Sequence, residues 1–230
     1  MPSTHMRKAL ITIFLILLID QISKFWIKTN MFIGEEFFVL GDWFRIRFIE
    51  NNGMAFGMEF AGANGKIFLS LFRIAASGAI IYYLYNLIKK KANQGLIITV
   101  SLILAGALGN IIDSIFYGVI FSESCFMQGN VAELFPADGG YAGFLQGKVV
   151  DMLYFPLFEG HFPEWVPFWG GEDFLFFRPI FNISDSAITI GVFLLVIFQK
   201  RFFHKHEEAE TVNNETAAVH SQSDDNSTEI

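Results

Sequence analysis

Residues 95–117 read GLIITVSLILAGALGNIIDSIFY, an apolar run with no charge before Asp113. About 20 helical residues cross roughly 30 Å of hydrocarbon, so this run is long enough to span a membrane. Three more runs share its character: 7–28, 66–88 and 180–203. The fold class that follows is an all-α membrane protein, a four-transmembrane-helix bundle. Composition agrees with it. Of 230 residues, 53% are apolar and 17% aromatic, 28 are Phe, and the mean hydropathy is +0.43, too apolar for an ordinary soluble domain.

Seven of the 23 acidic residues lie after residue 206, so the formal charge of -7 is no guide to the body of the chain. The chain divides into a membrane domain, 1–203, and an acidic, polar tail, 204–230, that cannot bury a core and is expected to be disordered. Nucleic acid is excluded as a partner. With Cys125 as its single cysteine, the chain forms no intrachain disulfide and has no cysteine-based metal site. His161 and Glu164, separated by Pro163, do not suggest a metal pair either.

The apolar stretch Ala9–Ile19 is short enough to resemble a signal peptide, but Asp20, Gln21, Lys24, Phe25 and Trp26 follow it with no small-residue cleavage site. An uncleaved span is expected. Eight of the 16 basic residues sit in three short flanks: Arg7 and Lys8, Lys89–Lys91, and Lys200, Arg201 and Lys205. Those flanks, both termini and the tail are therefore expected on the cytoplasmic side. Segments 29–65 and 118–179, whose basic residues are Arg45, Arg47, Lys148 and Arg178, are expected outside. Lys24 and Lys28, at the outer end of the first span, mildly oppose this orientation but can snorkel to the interface; Arg73 in the second is expected to snorkel, the alternatives being that it neutralises a carboxylate or touches lipid phosphate. In the first outer segment, Phe44, Ile46 and Phe48 alternate with Arg45 and Arg47 behind the Gly41-Asp42 turn signal, which predicts a small periplasmic β element, strand or hairpin. In the second, Gly139-Gly140 and Gly170-Gly171 punctuate aromatic stretches around Trp165 and Trp169, as in loops resting at a headgroup layer.

Of the acidic residues, only Asp20, Asp113 and Asp185 fall within the spans. An Asp at a helix centre costs on the order of 2.5–3.5 kcal/mol on insertion scales, so each is a candidate functional residue. All three approach the outer face. Asn110 and Asp113 are three apart, as are Asn182 and Asp185, which predicts that each amide shares a helix face with its carboxylate. Asp20 and Lys24 stand at i and i+4 in the favourable order and read as a structural ion pair. Ala105, Gly106 and Gly109 form a small-residue strip that predicts close approach of the third span to a neighbour. A fourth carboxylate, Asp151, lies outside the spans in the short apolar run Gly147–Met152. Two carboxylates meeting in a poorly hydrated site share a proton, one acting as base toward water and the other as acid toward a peptide carbonyl.

The residues fall into five ordered blocks: Asp20-Gln21-x-x-Lys24, Asn51-Asn52-Gly53-Met54-Ala55-Phe56, Gly109-Asn110-x-x-Asp113, Val149-Val150-Asp151 and Phe181-Asn182-x-Ser184-Asp185. In this order they resemble the lipoprotein signal peptidase family, also called signal peptidase II, aspartic endopeptidases of bacterial inner membranes. The resemblance implies that Asp151 and Asp185 are the catalytic dyad. It implies that Asn51, Gly53, Asn110, Asp113 and Asn182 shape the site or position substrate, and that Asp20 and Lys24 are a structural pair. It further implies diacylglyceryl prolipoprotein substrates, contact with membrane lipids, inhibition by globomycin-type cyclic peptides, no metal or organic cofactor, and action as a monomer.

Three departures from the family pattern stand out. Ser114 occupies the place of an Arg, so a cationic partner for Asp113 must come from elsewhere, Arg47 being a candidate. Ser184 replaces an Ala. Segments 120–147 and 156–178 are longer than is typical and are expected to add outward surface near the substrate entrance, since closing a longer loop adds little entropy. A competing reading, a proton- or cation-coupled transporter subunit, requires polar groups through the full membrane depth, whereas here they gather at one end. A second, an inert membrane scaffold, treats the polar residues of the outer halves as helix glue and predicts that Asp151→Ala is tolerated.

Overall fold

In the computed structural model, residues 3–53, 62–156, 159–165, 167–168, 171–175 and 179–202 are described. Among them, three helices are long and apolar enough to cross a membrane. These are α1 (Thr4–Asn30), α2 (Gly62–Lys89) and α3 (Gln94–Ile112), the last running on through a π-helical turn, Asp113–Tyr117, and a final turn, Gly118–Ile120. A shorter apolar helix, α4 (Ile183–Ile197), follows, and helical bonding reaches Phe202, whose N–H donates to the Phe198 carbonyl at 2.9 Å. The tail from 204 lies outside the described residues, as do Met54–Phe56, Trp169 and Arg178.

The helices begin where polar side chains take up orphan N–H groups. Ser3 Oγ accepts from Met6 N–H (3.2 Å), and Asn93 Oδ1 accepts from Gly95 N–H (2.8 Å). α4 starts later than the span 180–203 suggests. Ile180–Phe181 are a strand paired with Leu153 and Tyr154, and Asn182 caps the helix behind them.

α3 packs against α1, α2 and α4. The small-residue strip explains how. A Cβ on Gly106 would lie 2.2 Å from the Ser184 carbonyl oxygen, and one on Gly109 2.0 Å from Ser184 Oγ and 2.7 Å from Asp20 Oδ2. Close helix approach of this kind is how helices associate where lipid leaves no hydrophobic driving force between them. Outward faces carry large apolar side chains, including Phe14, Phe68, Tyr82 and Phe193, as expected of lipid-facing helices.

Two apolar clusters flank a polar layer along the helices. One joins Ala9, Leu84, Leu87, Leu96, Ile97, Val100, Leu104 and Phe202. The other joins Ile27, Met31, Phe48, Tyr117, Phe121, Ala132, Val150 and Met152 beneath a sheet. That sheet is antiparallel, in the order β1 (Glu36–Leu40), β2 (Phe44–Asn51), β3 (Val149–Tyr154), β6 (Ile180–Phe181). β1 and β2 form the hairpin, with Gly41 at φ +52° in its turn. A separate hairpin pairs β4 (Glu159–His161) with β5 (Asp173–Leu175). Beside it, Trp165 and Phe168 are 81% and 95% exposed.

Candidate active site

Register decides which distant residues meet. β2 places Ile49 opposite Asp151 and Asn51 opposite Val149, and β3 places Leu153 opposite Phe181 at the entry to α4. Asn51, Asp151 and the Asn182–Asp185 turn therefore gather at one end of the sheet. Asn182 is extended at the N-cap. Its Oδ1 accepts Asp185 N–H (2.9 Å) and Asp185 Oδ2 accepts Asn182 N–H (3.4 Å), a reciprocal capping box. The Asn-x-x-Asp spacing here comes from capping, not from a shared helix face.

The amides hold the two carboxylates. Asn182 Nδ2 donates to Asp151 Oδ1 (2.7 Å), with Asn110 Oδ1 and the Val150 carbonyl each at 3.2 Å. Asn110 Nδ2 donates to Asp185 Oδ1 (2.8 Å). Asn51 Nδ2 donates to Asp151 Oδ2, while Gly53 N–H donates to Asn51 Oδ1. Asp151 is buried and Asp185 half-buried. Burial and the charge of Asp185 push the Asp151 carboxyl up to about 7, against the Asn182 and Asn51 hydrogen bonds and the charge of Lys24. A carboxyl titrating near neutrality beside a second one can act as acid while its neighbour acts as base.

Beneath this pair lies a fully buried layer. Lys24 Nζ contacts Asp20 Oδ2 (2.9 Å), Asp113 Oδ2 (2.8 Å) and Asn110 Oδ1 (3.0 Å). Those three contacts use all three ammonium donors. Asp20 Oδ1 accepts Ser184 N–H (2.8 Å), and Asp113 Oδ2 lies 3.4 Å from Val150 N–H. Gln21 Nε2 donates to Asp113 Oδ1 (3.0 Å) and Asp20 Oδ2 (3.1 Å), and Gln21 Oε1 accepts from Tyr117 Oη (3.2 Å). The structure thus brings together Asp20, Lys24, Asn51, Gly53, Asn110, Asp113, Asp151, Asn182 and Asp185.

Several expectations need correction. Arg47 is not the partner of Asp113. It stands opposite Glu36 in the hairpin, 3.5 Å from that carboxylate and stacked over Tyr154, while Lys24 fills the role at Asp113. Lys28 does not snorkel, nor does Lys24. The Lys28 ammonium is buried on Glu50 and Ser124 Oγ (2.8 Å) and faces the Phe121 and Tyr141 rings. Arg73 turns inward, its Nη2 donating to the Gly53 carbonyl (2.6 Å). Ser114 Oγ folds back onto the Asn110 carbonyl (2.9 Å), and Ser184 Oγ is buried without a hydrogen-bond partner among the described residues. Sequence reasoning gave no role to Gln21 or Glu50. Gln21's position inside the first block, one residue after Asp20, was the available signal. Glu50 carried none, because its partner Lys28 lies on a different element.

A family model described as signal peptidase (SPase) II matches residues 12–201. The lipoprotein signal peptidase of Porphyromonas gingivalis is 53% identical over 202 residues, 87% of this chain and 85% of that protein. That of Amoebophilus asiaticus is 36% identical over 208 residues, 87% of this chain and 83% of its own. Two solved structures of bacterial membrane enzymes are similar to this fold, with TM-scores of 0.53 and 0.52 at 25% and 28% identity. They cover 84% and 82% of this chain and 87% and 90% of theirs. Likeness of this extent, over most of both chains, supports one conclusion: this protein belongs to the signal peptidase II family and is a multi-pass membrane protease.

Proposed function

We propose that this protease removes the signal peptide from prolipoproteins whose cysteine bears diacylglycerol, at the outer face of the bacterial inner membrane, with Asp151 and Asp185 as its catalytic pair. The name of the curated relatives, lipoprotein signal peptidase, supports the substrate class. One observation carries the pair. The Asn182 side chain donates to Asp151 Oδ1 at 2.7 Å and accepts Asp185 N–H at 2.9 Å, so a single amide ties both residues into one site.

In this reading Asp151, raised toward neutrality, holds the shared proton, and Asp185 is the ionised base. Asp185 takes a proton from water as the water oxygen bonds to the scissile carbonyl carbon. The Asp151 O–H hydrogen-bonds the carbonyl oxygen as negative charge develops there. Collapse of the tetrahedral intermediate breaks the C–N bond, and the proton gained by Asp185 passes to the leaving amine. No metal or organic cofactor enters these steps. In this reading globomycin-type cyclic peptides inhibit the enzyme, as the family resemblance implies.

α4 completes a bundle of four spans, with the sheet on the periplasmic side. The exposed basic side chains Arg7, Lys89–Lys91, Lys200 and Arg201 support cytoplasmic termini. The segment 120–147 supplies outward surface. It folds over Phe121 and feeds β3, Tyr141 Oη accepting Lys148 N–H (2.6 Å). An ion pathway is disfavoured by the apolar packing of Ala9, Leu84, Leu96, Ile97 and Val100 below the polar layer.

The deciding experiment is cleavage of a diacylglyceryl prolipoprotein in phospholipid bilayers by wild type, Asp151→Asn and Asp185→Asn at matched protein level. Both variants are expected to lose turnover by at least about a thousandfold. Retained turnover in either one removes the assignment.

A further inference from the structure

We infer that Arg73, a residue of α2 distant in sequence from every block of the site, is a positioning residue for the reaction: it clamps the Gly53 turn so that the Asn51 amide faces Asp151. The inference rests on the protease reading above and deepens it. A charged side chain inside a membrane-spanning helix is expensive and calls for a partner. Arg73 sits eleven positions into α2 and is half-buried, with its Nη2 donating to the Gly53 carbonyl at 2.6 Å. The contact is close on both sides. Gly53 holds φ +82°, and a Cβ there would stand 2.6 Å from Arg73 Nη1.

From Gly53 the linkage continues inward. Gly53 N–H donates to Asn51 Oδ1, and Asn51 Nδ2 donates to Asp151 Oδ2. A side-chain amide has one acceptor end and one donor end, and half a turn about its last torsion exchanges them. If Asn51 Oδ1 lost its donor, the amide would be free to present its oxygen to the Asp151 carboxylate, repelling it instead of holding it. Arg73 prevents this by fixing the peptide that carries the Gly53 carbonyl, and with it the turn that presents the Gly53 N–H. Its guanidinium also lies within electrostatic reach of Asp185, Asp113 and Asp151, so the clamp is drawn toward the site and not toward the headgroups.

The test uses the full chain in phospholipid nanodiscs and a fluorogenic lipopeptide bearing diacylglyceryl cysteine, with kcat and KM measured separately. Misorientation of one group near the reacting atoms costs up to about a hundredfold, so Arg73→Gln is expected to lower kcat about ten- to hundredfold with KM within about twofold. Arg73→Lys, which keeps the donor and the charge, is expected to stay within about fivefold of wild type. In an Asn51→Ala background the same Arg73→Gln change is expected to cost less than about threefold, because residues acting through one another are not additive. Gly53→Ala breaks the clamp from its other side with the arginine still in place, its Cβ crowding the guanidinium at 2.6 Å, and the same kcat loss is expected. Wild-type kcat in Arg73→Gln or Gly53→Ala overturns the inference. So does an equal penalty with and without Asn51, or a loss confined to KM, which would make Arg73 a substrate contact. If Asp151→Asn is inactive while Arg73→Gln is fully active, this inference fails alone. If Asp151→Asn and Asp185→Asn are both active, the protease assignment fails first.

Discussion

Replacing Lys24 by Met tests the buried layer beneath the aspartates. The ammonium uses its three donors on Asp20 (2.9 Å), Asp113 (2.8 Å) and Asn110 (3.0 Å), and all three carboxylate and ammonium groups are fully buried. Methionine fills similar volume but leaves Asp20 with Ser184 N–H and Gln21, and Asp113 with Gln21 and Val150 N–H. Two carboxylates would then face each other in a dry site. Removing one partner of a buried ion pair costs about 3–5 kcal/mol. At roughly 2–4 °C per kcal/mol for a chain of this size, the melting temperature in detergent, followed by circular dichroism, should fall by about 6–20 °C. Lys24→Met combined with Asp113→Asn removes one of the stranded charges and should recover part of that loss, since the two sites are coupled. A Lys24→Met protein within about 1 kcal/mol of wild type, as for an exposed pair, would refute the reasoning.

The other expectations follow from the same geometry. Gly106→Ala sets a methyl 2.2 Å from a backbone oxygen of α4 and should cost about 1–3 kcal/mol with a clear loss of turnover. Gly78→Ala, with nothing within 4 Å, should be silent in the same melting and cleavage assays. Ser184→Ala removes a buried hydroxyl without a partner and should leave cleavage intact while holding or raising stability by about 1 kcal/mol in thermal unfolding. Asp151, raised to about 7, should give kcat an alkaline limb near neutral pH in a pH–rate profile, as the shared proton is lost. The native state then binds more protons than the unfolded state between about pH 4 and 7. Wild-type stability should therefore fall with rising pH across that window relative to Asp151→Asn, by up to about 1.4 kcal/mol per unit.

Elements were legible in the sequence where the physics is local. A lipid-spanning run must be helical because no water satisfies its backbone, so residues 95–117 announce α3 by composition alone. The Phe44–Phe48 alternation announces β2 by its period of two. The i,i+4 spacing of Asp20 and Lys24 announces their pair. What the sequence could not show depends on how elements cross. Lys24 reaches Asp113 because α1 and α3 lie side by side, and Arg47 cannot, because the hairpin register puts Glu36 opposite it. Asn182 and Asp185 show how one spacing admits two structures. Three apart fits a helix face and also an N-cap with its N3 residue, and the strand Ile180–Phe181 ending just before Asn182 selects the second.

The buried layer also accounts for two of the five blocks, which contain neither of the aspartates proposed to do the chemistry. Asp20 accepts Ser184 N–H, the residue before Asp185, and Asp113 lies against Val150 N–H, the residue before Asp151. Each supporting carboxylate thus grips the backbone that carries one member of the pair. Lys24 joins both grips, and Gln21 spans them a second time. Because Asp20 rides on α1 and Asp113 on α3, a shift of one helix against the other would pull the first turn of α4 away from β3, and the Lys24 and Gln21 bridges resist that shift and hold the separation of Asp151 and Asp185. Neutral replacement of Asp20 or Asp113 should on this argument act chiefly on kcat, because it loosens one carrier relative to the other without touching the surface that binds substrate. A loss confined to KM would place these residues at the substrate instead.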